Sequence, residues 1–96
     1  MIFHSVFLKL KHPKDSEKET LFLNAARDLQ DIPGVQNFKV LKQTSPKNQF
    51  EYGLSMEFDN QSDYDAYSIH PDHERFIKEF WIPDVADFLE IDYQEL

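Results

Sequence analysis

The fold is decided by residues 2–11, which read Ile-Phe-His-Ser-Val-Phe-Leu-Lys-Leu-Lys. Side chains alternate in character along this segment, which predicts a β-strand with one face in a core. That core face would hold Ile2, His4, Val6, Leu8 and Leu10. The opposite face begins with Phe3 and Phe7 and ends in lysines. Because one end of the strand is apolar on both faces, we expect it to be covered from both sides there.

Patterns in the rest of the chain predict two helical regions and three further strands. Ser16 and Glu19 form a capping-box pattern that starts a helix running to about residue 31. Residues 35–42, 50–58 and 85–93 have strand patterns, and the cleanest alternation is in 50–58. Between the last two strands, two helical stretches at 64–69 and 72–80 are separated by a His-Pro break.

The predicted order is therefore β-α-β-β-α-β, the ferredoxin-like arrangement of the α+β class with a four-stranded antiparallel sheet. We interpret residues 1–96 as a single domain. Helices cover only one face of such a sheet, so its other face meets solvent or a partner. Either Phe3 and Phe7, or the stripe within 52–58, would be exposed in a monomer. This exposed apolar surface predicts a homodimer closed sheet to sheet.

Composition excludes several functional classes. Eighteen acidic residues outweigh ten basic ones and give a net charge of −8, so nucleic acids and anionic membranes are poor partners. The chain has no cysteine and only two glycines, which removes thiolate chemistry and Gly-rich nucleotide-binding loops. The apolar segment at residues 1–9 is too short for a signal peptide or a membrane span, and its apolar residues are interrupted by polar ones. By default we expect a cytoplasmic protein without a cofactor.

The densest chemical signal lies in residues 67–76, where Tyr67 precedes His70 and His73 around a proline. Histidine suits proton transfer near neutral pH, and a tyrosine hydroxyl can donate to a developing oxyanion. A His-Pro pair at a helix break is more often a cap or a turn, and for each histidine alone that interpretation is preferred. A metal site is not expected, because this spacing lacks the rigid helical presentation of zinc motifs and no third ligand stands out.

Together these features make the chain resemble the stress-responsive A/B barrel domain family, relatives of the antibiotic-biosynthesis monooxygenases. The resemblance covers nearly the whole chain. It is carried by His4 in the first strand, 29–35, the strand at 52–58, the segment 65–73 and the pair at 92–93. The Tyr-x-x-His-Pro-x-His segment is the most specific of these. The resemblance implies a ferredoxin-like fold and a homodimer.

A plant polyketide cyclase of this family, which makes olivetolic acid by an aldol reaction without a cofactor, supplies the residue roles. Similarity to it implies that His73 is the general base and that Asp92, hydrogen-bonded to His73, orients it. It also implies that Tyr67 polarises the substrate carbonyl and that His4 lines the pocket. We expect His70 to line the pocket as well. That enzyme has a further pocket tyrosine on its first helix, where this chain offers only Ala25 or Ala26.

Three functions remain open from the sequence. The first is an enzyme that carries out lyase, cyclase or isomerase chemistry on a small apolar or carbonyl-containing molecule. The second is a stress-associated dimer that binds a ligand or a protein without catalysis. The third, suggested only by the wider superfamily, is a cofactor-free monooxygenase. An open cavity that reaches His73 and Tyr67 favours the first or the third.

Overall fold

The computed structural model describes all 96 residues and contains four strands and three helices. The strands are β1 (Ile2–Leu10), β2 (Gln36–Lys42), β3 (Tyr52–Phe58) and β4 (Val85–Tyr93). The helices are α1 (Glu17–Arg27), α2 (Gln61–Ser68) and α3 (Pro71–Phe76). Single turns at Asp28–Asp31, Ile77–Trp81 and Ile82–Asp84 extend α1 and α3. None of the helices has both the length and the apolar content needed to cross a membrane.

The four strands form one antiparallel sheet in the order β2-β3-β1-β4. The two central strands are β1 and β3, and β4 is an edge strand that pairs only with β1. This arrangement confirms the ferredoxin-like α+β fold predicted from the sequence.

The core lies between the helices and the predicted core face of β1. Leu8 is fully buried in this core, and Phe22 and Ala26 from α1 are fully buried with it. The Ser16 hydroxyl accepts a hydrogen bond from the Glu19 amide at 3.3 Å, as the capping pattern predicts. The Glu19 carboxylate, however, accepts from the Asp15 amide rather than from Ser16, whose own N–H donates to Pro13.

The sheet face that points away from the helices is apolar and uncovered. Cross-strand register places Phe3 opposite Tyr93 and Phe7 opposite Leu89, with Ile91 between them on β4. The β4 side chains on this face are 43–49% exposed. The sequence predicted that either Phe3 and Phe7 or the apolar residues within 52–58 would be exposed. In the structure, the exposed face is the one that contains Phe3 and Phe7. We call Phe3, Phe7, Leu89, Ile91 and Tyr93 the open face.

The predicted helix over 72–80 is divided in the structure. Regular helix ends at Phe76, and a wider turn follows in which the Ile82 amide bonds to the Ile77 carbonyl five residues back. This turn brings the Trp81 ring to 6.1 Å from the Phe22 ring in the core. An uninterrupted helix would rotate the indole elsewhere, so core packing explains the irregularity.

Candidate active site

A cavity of about 390 Å³ lies between the helix-facing side of the sheet and the chain from α2 to the end of α3. Eleven of its fifteen lining residues are hydrophobic. The four polar ones are His4, Ser68, His73 and Glu90. A mostly apolar cleft with a few convergent polar groups is the usual form of a small-molecule site.

The break between α2 and α3 places His73 at this cavity. Pro71 cannot continue α2, and the chain folds back so that His73 meets the last turn of α2. His73 Nδ1 lies 3.1 Å from the carbonyl oxygen of Ser68, which is among the last carbonyls of that helix. The His73 ring also packs against Tyr67, with ring centres 4.5 Å apart.

The hydrogen bond to Ser68 fixes the tautomer of His73. A carbonyl oxygen only accepts, so the proton lies on Nδ1 and Nε2 keeps its lone pair. Burial lowers the pKa of the His73 imidazole, and the bond to Ser68 only partly opposes this shift. His73 is therefore a neutral imidazole with an available basic nitrogen at neutral pH.

Tyr67 contributes a hydroxyl that no other residue uses. The side chain is 2% exposed and lines the cavity, yet its hydroxyl makes no hydrogen bond within the protein. Burial, and secondarily the charge of Glu90, raise the pKa of the Tyr67 phenol. The group is thus a proton donor whose hydrogen bond is free for a ligand.

Asp92 does not meet His73, so the hydrogen bond predicted between them is wrong. Strand pairing places Asp92 directly opposite His4, and His4 Nδ1 lies 2.5 Å from Asp92 Oδ1. The Tyr64 hydroxyl donates to the second carboxylate oxygen at 2.8 Å. Both oxygens of Asp92 are therefore engaged, while the Nδ1 proton of His73 is held by the Ser68 backbone.

His70 does not line the cavity, which corrects the sequence-based assignment. Its Nδ1 accepts a hydrogen bond from the Asp72 amide at 3.1 Å, so His70 is the N-cap of α3. This is the capping role that the sequence favoured for a histidine before proline. Of the predicted site residues, His4, Tyr67 and His73 line one cavity, and Asp92 lies behind His4.

Sequence reasoning missed two residues, Tyr64 and Glu90. The Tyr64 hydroxyl lies 3.0 Å from His4 Nδ1 and 3.2 Å from Glu90 Oε1, and both residues line the cavity. Burial and the hydrogen bond to Asp92 raise the pKa of the Tyr64 phenol. Their spacing in the sequence could have revealed both residues. Tyr64 precedes Tyr67 by one helical turn and Glu90 precedes Asp92 by two strand positions, so each shares a face with a residue already assigned to the site.

Side chains of metal-binding type also meet here. His4, Glu90 and Asp92 each place one ligand atom within 4.8 Å of the others. This trio is separate from the histidines and acidic residues around Pro71, the ligand types that stand close together in the sequence. Its members come from two paired strands, so no local spacing could reveal it.

Comparison with known proteins identifies the relatives of this chain. The family model for the stress responsive A/B barrel domain matches residues 2–95. A stress-response A/B barrel domain-containing protein of Arabidopsis thaliana is 30% identical over 95 residues, which cover 97% of this chain. The match covers 36% of the Arabidopsis protein, so this chain spans about a third of that relative's length. The resemblance inferred from the sequence is confirmed.

Solved structures agree with this assignment. A Dabb (A/B barrel) family protein with a ferredoxin-like fold from Mesorhizobium loti is 46% identical, with a TM-score of 0.95 over 99% of this chain and 96% of its own. Two other solved structures share the fold at 18–20% sequence identity, a level that shows similarity of fold alone. A dimeric ferredoxin-like protein from Thermobifida fusca has a TM-score of 0.81 over 98% and 90% of the two chains. The hydroxynitrile lyase of Passiflora edulis has 0.84 over 96% and 90%.

Proposed function

We propose, from the premise that this chain belongs to the stress-responsive A/B barrel domain family, that its cavity catalyses a proton transfer on a small, largely apolar molecule. One observation carries the proposal. His73, with a basic nitrogen left free, and Tyr67, with a hydroxyl that no residue uses, line the same apolar cavity. The reaction class that fits is a lyase, cyclase or isomerase step that uses the protein's own side chains as acid and base.

His73 is the general base in this proposal. Its Nε2 takes a proton from a carbon next to a carbonyl, or from a hydroxyl. The imidazolium that forms keeps its Nδ1–H bond to the Ser68 carbonyl, so a backbone oxygen does the orienting work assigned by resemblance to Asp92. Asp92 instead holds His4 in the cavity wall.

Tyr67 is the electrophilic partner. When His73 removes a proton, negative charge moves to the substrate oxygen, and the Tyr67 hydroxyl donates a hydrogen bond to it. The raised pKa of the phenol keeps the proton available for that bond across the pH range in which His73 is neutral. Because the walls are mostly apolar, few other polar groups compete with Tyr67 and His73 for the substrate.

The open face supports the proposal of a homodimer. Five apolar side chains from two paired strands form one continuous surface there, and the T. fusca protein of the same fold is dimeric. Sheet-to-sheet contact would remove this surface from water. Light scattering should give twice the chain mass of 11.4 kDa, and a mass of one chain at micromolar concentration would refute the dimer.

Exchange of carbon-bound protons tests the proposed chemistry without knowledge of the natural substrate. Phenylacetone, a small aryl ketone, is incubated in D₂O with the protein, and loss of its protons next to the carbonyl is followed by proton NMR. We expect exchange above the buffer rate. His73→Gln should abolish the excess, and Tyr67→Phe should reduce it by about 10²-fold or more, the usual loss for one oxyanion donor.

The matched control is His70→Asn, which keeps a capping side chain outside the cavity and should leave exchange unchanged. Exchange that survives His73→Gln would contradict the assignment of the base. Binding without exchange would instead favour the second candidate function, a dimer that binds a ligand without catalysis. If phenylacetone shifts resonances of cavity residues but exchanges no faster than in buffer, the apolar cavity binds ligands without catalysis.

A further inference from the structure

The polar end of the cavity carries negative charge and no fixed positive charge. Glu90 lines the cavity, and neither lysine nor arginine does. The Tyr64 hydroxyl approaches Glu90 Oε1, while Oε2 makes no hydrogen bond with the protein. With His73 neutral, the only charge at this wall is that of the Glu90 carboxylate, which repels an anionic ligand head.

Aromatic rings surround the same wall. Tyr64, Trp81 and Phe88 line the cavity together with Glu90, and the Trp81 and Phe88 rings meet edge to face at 5.4 Å. Phe88 and Glu90 are alternate residues of β4, so both point to the helix side of the sheet. Rings grouped around a carboxylate form the environment in which proteins bind organic cations.

We propose that the cavity selects molecules with an apolar body and a protonated amine, whose ammonium group binds the Glu90 carboxylate beside the Trp81 and Phe88 rings. This inference deepens the proposed function and rests on it, since it names the class of molecule that reaches His73 and Tyr67. The ammonium N–H groups donate to the free oxygen of Glu90. The rings add cation–π attraction, which strengthens as water leaves the site.

An organic cation fits this wall better than a metal ion does. His4 Nδ1 and Asp92 Oδ1 lie 2.5 Å apart, whereas two ligands at about 2.0–2.2 Å from one tetrahedral ion lie about 3.3–3.6 Å apart. The Tyr64 hydroxyl lies 2.8–3.2 Å from His4, Asp92 and Glu90, in the space among the three groups. Those groups already satisfy one another, and the free oxygen of Glu90 is what remains for a ligand.

Three probes of similar shape and different charge test the inference. The 96-residue chain is titrated near neutral pH with 2-phenylethylamine, 2-phenylethanol and 3-phenylpropionate, and binding is followed by chemical-shift changes of cavity residues. We expect the amine to bind about tenfold more tightly than the alcohol, as a hydrogen bond to a charged group implies, and the acid to bind weakest. Glu90→Gln should remove the preference for the amine by weakening amine binding much more than alcohol binding.

Two further variants make the result specific. Glu95→Gln removes the same charge away from the cavity and should keep the preference, whereas Phe88→Leu should weaken it without changing the carboxylate. Equal affinity for amine and alcohol, or an unchanged preference in Glu90→Gln, would overturn the inference. Mn²⁺ that broadens His4 and Tyr64 resonances and displaces the amine would replace it with a metal site. Phenylacetone is neutral, so its exchange does not depend on the binding of an amine. Failure of the exchange assay would refute the proposed catalysis, and the titration alone would decide whether the cavity prefers amines.

Discussion

Replacing His4 and Asp92 singly and together should reveal a coupling that His73 and Asp92 lack. The donor–acceptor distance between His4 and Asp92 is 2.5 Å, and His4 is almost fully buried. A hydrogen bond to a charged group is worth about 1.5–3 kcal/mol. The Asp92 side chain is 41% exposed, so solvent screening reduces the expected coupling to about 1 kcal/mol.

The assay is a pair of double-mutant cycles measured by urea unfolding. One cycle combines His4→Phe with Asp92→Ala, and the other combines His73→Phe with Asp92→Ala. Phenylalanine keeps a ring in place of each imidazole and removes its polar atoms. The first cycle should be non-additive by about 1 kcal/mol, and the second should be additive within about 0.5 kcal/mol.

The comparison between the cycles separates two arrangements of the site. Resemblance to the family's cyclase predicts coupling between His73 and Asp92, whereas the structure pairs Asp92 with His4. A His73–Asp92 coupling above about 1 kcal/mol with an additive His4 cycle would refute the structural reasoning. It would return Asp92 to the role of orienting the base.

Three further predictions concern stability. A Cβ at Gly53 would lie 3.1 Å from the partly buried Phe7 ring on the open face, so Gly53→Ala should lower the free energy of unfolding by about 1 kcal/mol, and a Phe7→Leu background should recover most of the loss in thermal melting. Ser16→Ala removes the cap of α1 and should cost about 1 kcal/mol in urea unfolding. Because burial lowers the pKa of His73, the unfolded chain binds a proton more readily than the folded one, so stability should fall as pH drops below about 6.5 until the folded pKa is passed. His73→Gln should flatten that part of the stability curve, and an unchanged slope would mean that other groups cause it.

The sequence predicted the elements that local patterns determine. Strand β4 was expected over 85–93 and spans those residues, because Leu89, Ile91 and Tyr93 alternate with polar residues along its second half. The wide turn at Ile77–Trp81 was not predictable, since it follows from where the core accepts the indole ring. Local patterns also drew attention to the short segment that holds Tyr67 and His73 around a helix break, but only the resemblance assigned roles to these two residues.

The site was only partly predictable because strand register decides the remaining partners. His4 and Asp92 are 88 positions apart and meet through the pairing of β1 with β4, which no local spacing encodes. The same register brings Glu90 into the cavity beside Tyr64. Of the residues taken over from a relative, His4, Tyr67 and His73 line one cavity, but Asp92 pairs with His4 and not with His73.

The state of the His73 ring tests the proposed chemistry most directly, and nitrogen NMR of the imidazole across the pH range reports it. We expect a neutral ring with the proton on Nδ1, an apparent pKa below about 6.5, and an Nε2 resonance that shifts when phenylacetone is added. A ring protonated at neutral pH, or one whose Nε2 carries the proton and ignores the ketone, would contradict the assignment of His73 as the base.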